Sequence, residues 1–204
     1  ANWAFTEEFQ PEGPAQLAAR ARARELGVPH PSPGTCALLT VLAAGSHAHS
    51  AVEIGTSAGV AALAIVAGMP AGGVLTSVDA EAEHQNAARE AFAEAGVAPS
   101  ATRLINSRPA EVLPRLADSA YDLVFLSGSK ADYPDRAPDA LRLLRPGGML
   151  VVDGALAGGN VPDPARRDPI TVGVRELGRD LRADDHLWVA MVDSGDGLLI
   201  AVKK

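Results

Sequence analysis

Residues 52–59 read Val-Glu-Ile-Gly-Thr-Ser-Ala-Gly and join an apolar run to a turn that contains two glycines. The run Ala51–Ile54 is typical of a short buried strand, and the alanine-rich segment Ala58–Gly68 predicts the helix after it. Because glycine has no Cβ, Gly55 and Gly59 let the backbone approach a ligand at the carboxyl end of the strand, where open α/β sheets bind their ligands. We therefore expect a strand, a ligand-binding loop and a helix in this order.

The spacing of the loop limits which ligand it binds. Ser57 stands where a G-x-G-x-x-G fingerprint has its second glycine, so the loop is not typical of a dinucleotide site. The segment also lacks the lysine that contacts phosphates in P-loops. A simpler interpretation stays open, in which the glycines only form a tight turn between strand and helix.

Strand-like and helix-like segments alternate along the rest of the chain, and this order predicts an α/β fold. The first five predicted strands are apolar on both faces, as in a parallel sheet covered by helices, and the last two predict an antiparallel hairpin. The predicted strands are Ala51–Ile54, Val74–Val78, Thr102–Ile105, Asp122–Leu126, Met149–Val152, Leu187–Val192 and Leu198–Val202. The predicted helices are Pro14–Leu26, Thr35–Ala44, Ala58–Gly68, Glu81–Ala95, Ala110–Ala117, Pro138–Leu144 and Thr171–Ala183, with a turn at residues 145–148.

We therefore predict a seven-stranded, mostly parallel sheet flanked by helices, with a C-terminal antiparallel hairpin. A length of 204 residues favours a single domain, residues 1–204, in which an N-terminal helical or lid segment, residues 1–48, precedes the core, residues 49–204. The proline-rich stretch 29–33 is expected to be non-helical.

The composition argues against several classes of partner. The net charge of −7 gives no basic patch for a nucleic acid backbone. The apolar runs are shorter than the roughly 20 residues of a membrane-spanning helix, and no targeting leader is apparent. A single cysteine, Cys36, forms no internal disulfide. We expect a cytoplasmic protein that binds neither nucleic acid nor membrane.

Asp79 follows the second predicted strand and is the next candidate binding residue. Doubly wound folds place at this position an acid that accepts hydrogen bonds from the ribose hydroxyls of an adenosine. Asp is also a common residue at the start of a helix, so the alternative is that Asp79 only caps the helix that follows.

Several motifs in this order resemble the caffeoyl-CoA and catechol O-methyltransferase-like family. The motifs are Ala51–Gly59, Asp79, Tyr121–Phe125, Leu143–Gly148, Val151–Asp153 and Gly195–Leu198. The resemblance covers about residue 14 to residue 204. It implies a Rossmann-like fold, S-adenosyl-L-methionine as cofactor, a small-molecule acceptor that is methylated on oxygen, and a homodimer.

The resemblance also implies a cofactor site. Glu53 and Gly55, with the turn residues Thr56, Ser57 and Gly59, are expected to hold the amino-acid end of S-adenosylmethionine, and Asp79 the ribose. Arg108 and Pro109 fall where the family packs a loop near the adenine, although Pro109 replaces a usually small residue. Ser127, directly after the fourth strand, completes the predicted set.

The family's metal motifs are altered in this sequence. The resemblance implies Asp-x-Asp-Lys after strand four and Asp-Asn after strand five, but this chain has Ser127-Gly128-Ser129-Lys130 and Asp153-Gly154. Asp153 is the one remaining ligand of three, and one carboxylate holds a hard cation poorly. We therefore predict no tightly bound catalytic metal.

Lys130 occupies the position of the family's proton-accepting lysine. If it is buried it can lose its charge and act as a base, whereas an exposed lysine stays charged and steers the acceptor, or has no role at all. The alternative function is a protein that binds the cofactor without catalysis and acts as a sensor, scaffold or dimer partner. An oxidoreductase on the same kind of sheet is disfavoured by the missing second glycine.

Overall fold

Seven strands form one sheet in the computed structural model, which describes residues 2–204. The spatial order is β3-β2-β1-β4-β5-β7-β6. The first five strands in this order are parallel, whereas β7 is antiparallel to both β5 and β6. The strands are β1 Ser50–Ile54, β2 Val74–Asp79, β3 Thr102–Asn106, β4 Tyr121–Leu126, β5 Leu144–Val152, β6 Leu187–Val192 and β7 Leu198–Lys203. The predicted fold class and hairpin are confirmed.

Helices cover both faces of the sheet. They are α1 Asn2–Glu7, α2 Pro14–Glu25, α3 Pro33–Gly45, α4 Val60–Gly68, α5 Ala82–Glu94, α6 Pro109–Val112, α7 Tyr133–Leu143 and α8 Pro169–Ala183. Short 3-10 turns lie at Pro99–Ala101, Leu113–Arg115 and Lys130–Asp132. Within residues 2–204, no helix combines the length and apolar character needed to cross a bilayer.

The core is divided by the sheet, because side chains alternate between its two faces along each strand. In β4, Phe125 packs with residues of α2 to α5, whereas its neighbours Val124 and Leu126 pack with residues of α7 and α8. These strand residues are completely buried. The apolar, non-alternating strands of the sequence are therefore explained by burial on both faces.

Three local predictions are corrected by the structure. Helix α7 begins at Tyr133 rather than Pro138, so Pro138 lies inside the helix. The proline removes only one backbone hydrogen-bond donor, and the helix continues through it because its apolar face packs through buried residues such as Ala137 and Leu143. Helix α3 begins at Pro33, inside the stretch predicted to be non-helical, with Ser32 as its N-cap. Residues 145–148 belong to β5, with a register irregularity opposite β4, instead of forming a separate turn.

The N-terminal helix α1 is attached to the rest of the protein through Glu7. The Glu7 carboxylate accepts hydrogen bonds from the backbone N–H groups of Gly34 at 3.0 Å and Gly195 at 2.7 Å. Burial alone would raise the pKa of Glu7, but these bonds and those from Ser32 and Ser194 outweigh it and hold that pKa below its usual range. The start of the chain is thereby tied to the turn between β6 and β7.

Candidate functional site

The loop after β1 lies at the point where the sheet reverses its strand order. The next strand along the chain, β2, pairs with one side of β1, and β4 pairs with the other. Such a switch point leaves a crevice at the carboxyl ends of the strands. The loop of residues 55–59 borders this crevice, as the sequence predicts.

Gly55 is required by the close approach of two backbone segments. Its φ is +92°, and a Cβ at this position would lie 2.9 Å from the backbone nitrogen of Gly128, in the loop after β4. The Gly55 N–H donates to the carbonyl of Val78 at 2.9 Å, which fixes the loop against β2. The loops after β1 and β4 thus pack against each other beside the end of β2, and together they form one edge of the site.

Asp79 at the end of β2 holds this edge together. Its Oδ2 accepts hydrogen bonds from the N–H groups of Thr56 at 2.9 Å and Ser57 at 3.3 Å, and its Oδ1 accepts from the N–H of Glu81 at 2.9 Å. His84 Nδ1 lies 3.1 Å from Oδ2. Asp79 also lines the crevice, so the residue that orders the loop lies at the cavity.

Behind the loop, a chain of polar side chains ends at Glu53. Gln85 donates to Thr56 Oγ1 at 3.1 Å, Thr56 pairs with Ser77 Oγ at 2.7 Å, and Ser77 donates to Glu53 Oε2 at 2.5 Å. Burial raises the pKa of Glu53 to about 8, the Ser77 bond opposes this, and Asp79 adds to it. Burial therefore favours the neutral form of Glu53.

The crevice contains a cavity of about 490 Å³, which is a usual size for a small-molecule site. Of the predicted cofactor-binding residues, Gly55, Ser57, Asp79, Arg108, Pro109 and Ser127 line it. Glu53, Thr56 and Gly59 lie outside its lining, and the first two are almost completely buried behind the loop. Direct ligand contacts of these three residues stay a prediction.

Several lining residues were not predicted from the sequence. His84, Asp132 and Arg136 contribute polar or charged groups to the cavity. Val28 and Pro29 also line the cavity, and they lie in the predicted N-terminal helical or lid segment, residues 1–48. His84 had one available signal, since it lies in the first turn of the helix after Asp79. Asp132 and Arg136 had no such signal, because the predicted start of α7, at Pro138, comes after both residues.

Of the aromatic residues Tyr133 and Trp188, Tyr133 lines this cavity and Trp188 does not. Tyr133 is buried, and its hydroxyl donates to the backbone carbonyl of Asp153 at 3.0 Å. Trp188 is 67% exposed on the edge strand β6, where the Lys204 ammonium lies 3.9 Å from its ring centre. Tyr133 therefore connects the cavity to the segment after β5.

Lys130 lies beside this segment and is neither fully buried nor fully exposed. It is not part of the cavity lining, but the lining residues Ser129 and Asp132 flank it in the chain. Burial raises the pKa of Asp153 to about 6, the Lys130 charge opposes this, and Asp196 adds to it. Lys130, Asp153 and Asp196 are therefore close enough to interact electrostatically.

The residues after β4 and β5 do not fit a tightly held divalent cation. Ser127 and Ser129 provide hydroxyls, Gly154 provides no side chain, and Asp153 is the single carboxylate at the family's ligand positions. Among residues 2–204, no three His, Cys, Asp or Glu side chains are grouped so that they could hold a metal ion. A hard cation held by one carboxylate is bound weakly.

Comparisons with known proteins identify the family of this chain. A family model described as O-methyltransferase matches residues 17–204. A putative O-methyltransferase of Mycobacteroides abscessus is 49% identical over 186 residues, which are 91% of this chain and 86% of that protein.

Two solved structures share the fold over nearly their whole length. A protein from Corynebacterium glutamicum is 37% identical with a TM-score of 0.90, and the match covers 98% of this chain and 94% of that one. The O-methyltransferase TomG from Streptomyces achromogenes, involved in tomaymycin synthesis and solved with S-adenosylmethionine, is 28% identical with a TM-score of 0.88, over 100% of this chain and 97% of that one. The predicted family, fold and cofactor are confirmed. The chain belongs to the O-methyltransferase family and is an S-adenosylmethionine-dependent enzyme.

Proposed function

We propose that the protein transfers the methyl group of S-adenosylmethionine to a hydroxyl oxygen of a small molecule without a tightly bound divalent cation. The observation that carries this proposal is the cavity at the carboxyl ends of β1, β2 and β4, bordered by the glycine loop and Asp79. The cofactor supplies an electrophilic methyl group on a sulfonium. The protein's contribution is to align the acceptor oxygen with that methyl group, which lowers the entropic part of the barrier.

The lining residues suggest how the cofactor is held. The Asp79 carboxylate is positioned to accept hydrogen bonds from ribose hydroxyls, in exchange for part of its contact with His84. The loop at Gly55 and Ser57 lets the amino-acid end of S-adenosylmethionine approach the backbone closely. Arg108 and Pro109 border the part of the cavity that we assign to the adenine. Glu53 and Thr56 support the loop from behind.

The first experiment is a calorimetric titration of S-adenosylhomocysteine into the protein, once with EDTA and once with excess Mg²⁺. We expect equal affinity in both buffers, followed by turnover of S-adenosylmethionine with members of a panel of phenols, catechols and hydroxy acids in EDTA. A control titration with NAD should give no heat of binding, because the loop lacks the dinucleotide spacing.

The results separate the competing functions. Absence of binding in both buffers contradicts the proposed site, and turnover only with Mg²⁺ contradicts the metal-independent mechanism. Tight binding with no turnover on any acceptor favours the second candidate, a cofactor-binding protein without catalysis. The specific observation behind this candidate is that Ser127, Ser129 and Gly154 replace polar residues of the family's two metal motifs.

We also propose that the protein is a homodimer that buries the aromatic residues of its N-terminal segment. Trp3, Phe5 and Phe9 are 49%, 67% and 71% exposed, and a small monomer gains nothing by exposing them together. The rings of Phe5 and Phe9 pack edge to face with centroids 5.9 Å apart, so they form one apolar surface.

Sedimentation velocity tests the dimer. We expect a dimer for the wild-type protein and a monomer for the double variant Phe5→Ser/Phe9→Ser, because the substitutions replace apolar contact area with polar groups. Met191→Ser is the control, because Met191 is an exposed apolar residue outside the N-terminal segment, 48% exposed on the edge strand β6. This variant should remain a dimer. A monomeric wild-type protein contradicts the proposal.

A further inference from the structure

Ser57 has a backbone conformation that residues with a Cβ rarely adopt. Its φ is +52°, in the left-handed region, where the Cβ crowds the backbone and costs free energy. Gly55 and Gly59, in the same loop, also have positive φ but carry no Cβ and avoid this cost. The serine side chain makes a contact that a glycine could not make.

The Ser57 hydroxyl joins two parts of the cavity wall. It donates to the backbone carbonyl of Pro29 at 2.8 Å. Pro29 belongs to residues 28–31, the wall segment, which lie between α2 and α3, and both Val28 and Pro29 line the cavity. Ser57 lines the same cavity from residues 55–59, the cofactor loop. In the described part of the chain, this is the one hydrogen bond between the wall segment and the cofactor loop.

The wall segment is anchored at both ends by contacts that do not involve the cofactor loop. At its start, the Val28 N–H donates to a carbonyl of α2 at 3.0 Å. At its end, the buried Arg20 guanidinium donates to the carbonyl of Pro31 at 2.6 Å, and Glu12 accepts from the same guanidinium at 2.9 Å. Pro29 lies between these anchors and is exposed. The middle of the segment is therefore the part that the cofactor loop can hold or release.

We propose that Ser57 is a positioning residue, whose hydroxyl holds the wall segment against the cofactor loop and thereby slows the release of S-adenosylmethionine and S-adenosylhomocysteine. This inference rests on the proposed function and deepens it. Val28 and Pro29 line the cavity, so their movement away from the loop opens a path for the bound molecule. The hydroxyl acts through the wall segment and takes no part in methyl transfer.

Two variants separate the hydroxyl from the backbone strain. Ser57→Ala removes the hydroxyl and keeps a Cβ at positive φ, whereas Ser57→Gly removes both. Ser57→Gly should therefore be more stable in urea than Ser57→Ala. Both variants should release tritiated S-adenosylhomocysteine into excess unlabelled ligand about fivefold faster than wild type, as for loss of one ordinary hydrogen bond. A purely structural role would instead make ligand retention follow stability.

Ser119→Gly is the matched control. Ser119 has φ +51° against +52° at Ser57, but it lies in the turn before β4, outside the cavity lining. The substitution relieves the same kind of strain without changing the wall segment or the cofactor loop. It should release S-adenosylhomocysteine at the wild-type rate.

Amide hydrogen exchange tests the contact in the protein without ligand. The Val28 N–H bonds to the carbonyl of Ala23 at 3.0 Å, and the Val97 N–H makes the same kind of bond to Phe92 at 2.9 Å after α5. The Val28 amide exchanges when the wall segment opens locally. Relative to Val97, it should exchange about fivefold faster in both Ser57 variants than in wild type. A direct bond from the Ser57 hydroxyl to the ligand would leave this exchange unchanged.

Three results would overturn the role of Ser57. These are unchanged exchange at Val28 in Ser57→Ala, a wild-type release rate in Ser57→Ala, or release rates that follow the stabilities of the two variants. Failure of the wild-type protein to bind S-adenosylhomocysteine is a different result, because it contradicts the proposed function. The exchange at Val28 is measured without ligand, so it shows independently whether Ser57 holds the wall segment.

Discussion

Gly55→Ala is expected to abolish cofactor binding, with an affinity for S-adenosylhomocysteine at least about 100-fold below wild type, or about 2.7 kcal/mol. The added Cβ would meet the backbone nitrogen of Gly128 at 2.9 Å and the carbonyl carbon of Ser127 at 3.0 Å, and backbone atoms cannot rotate away as a side chain can. The φ of +92° adds strain of about 1–2 kcal/mol for any residue with a Cβ. The loop after β4 must therefore move, and it forms one wall of the cavity.

Gly72→Ala is the control that separates the two effects of Gly55→Ala, the backbone strain at positive φ and the steric clash of the added Cβ. Gly72 has φ +81° but no atom within 4 Å of its Cβ position, and it lies in the turn before β2, away from the cavity. Both variants should show a lower free energy of unfolding in urea, and only Gly55→Ala should lose binding in the calorimeter. Equal binding by the two variants would mean that the contact between Gly55 and Gly128 does not shape the site.

The position of the loop could be predicted because its cause is local. Residues 51–59 combine an apolar strand with glycines, and the carboxyl end of a strand in an open α/β sheet is where ligands bind. Asp79 could be predicted for the same reason, since it ends the next strand. Asp79 lines the cavity, and its carboxylate accepts the N–H of Glu81. The N-cap of α5 is Glu81, not Asp79, so the helix-capping alternative is wrong.

The contacts that could not be predicted join distant parts of the chain. Nothing near Lys130 in the sequence indicates that its side chain rests on Gly154, and nothing near Glu7 indicates its bonds to Gly34 and Gly195. The position of the Glu53 side chain could not be predicted either. It lies on the face of β1 that packs against α4 and α5, so it points away from the cavity. Periodicity identifies buried strands, but it does not assign a polar side chain to one face when both are buried.

Asp79→Asn is expected to weaken S-adenosylhomocysteine binding about 100-fold or more while the protein still folds. The carboxylate accepts three backbone N–H groups, two at Oδ2 and one at Oδ1. An asparagine must place its NH₂ against one of these donor sets, so either the loop at Thr56 and Ser57 or the N–H of Glu81 loses its acceptor. An unsatisfied buried donor costs about 1–3 kcal/mol, and the ribose hydroxyls lose a charged acceptor as well.

Asp122→Asn is the matched control for this substitution. Asp122 Oδ2 accepts the N–H groups of His49 at 2.8 Å and Ser50 at 3.0 Å, so the same exchange of acceptor for donor occurs there. It lies near the start of β4, at the opposite end of the strand from the cavity. Thermal unfolding should show a lower Tm for both variants, whereas calorimetry should show wild-type affinity only for Asp122→Asn. If Asp79→Asn binds like the control, the carboxylate only orders the loop, and the ribose must be held by other residues of the cavity.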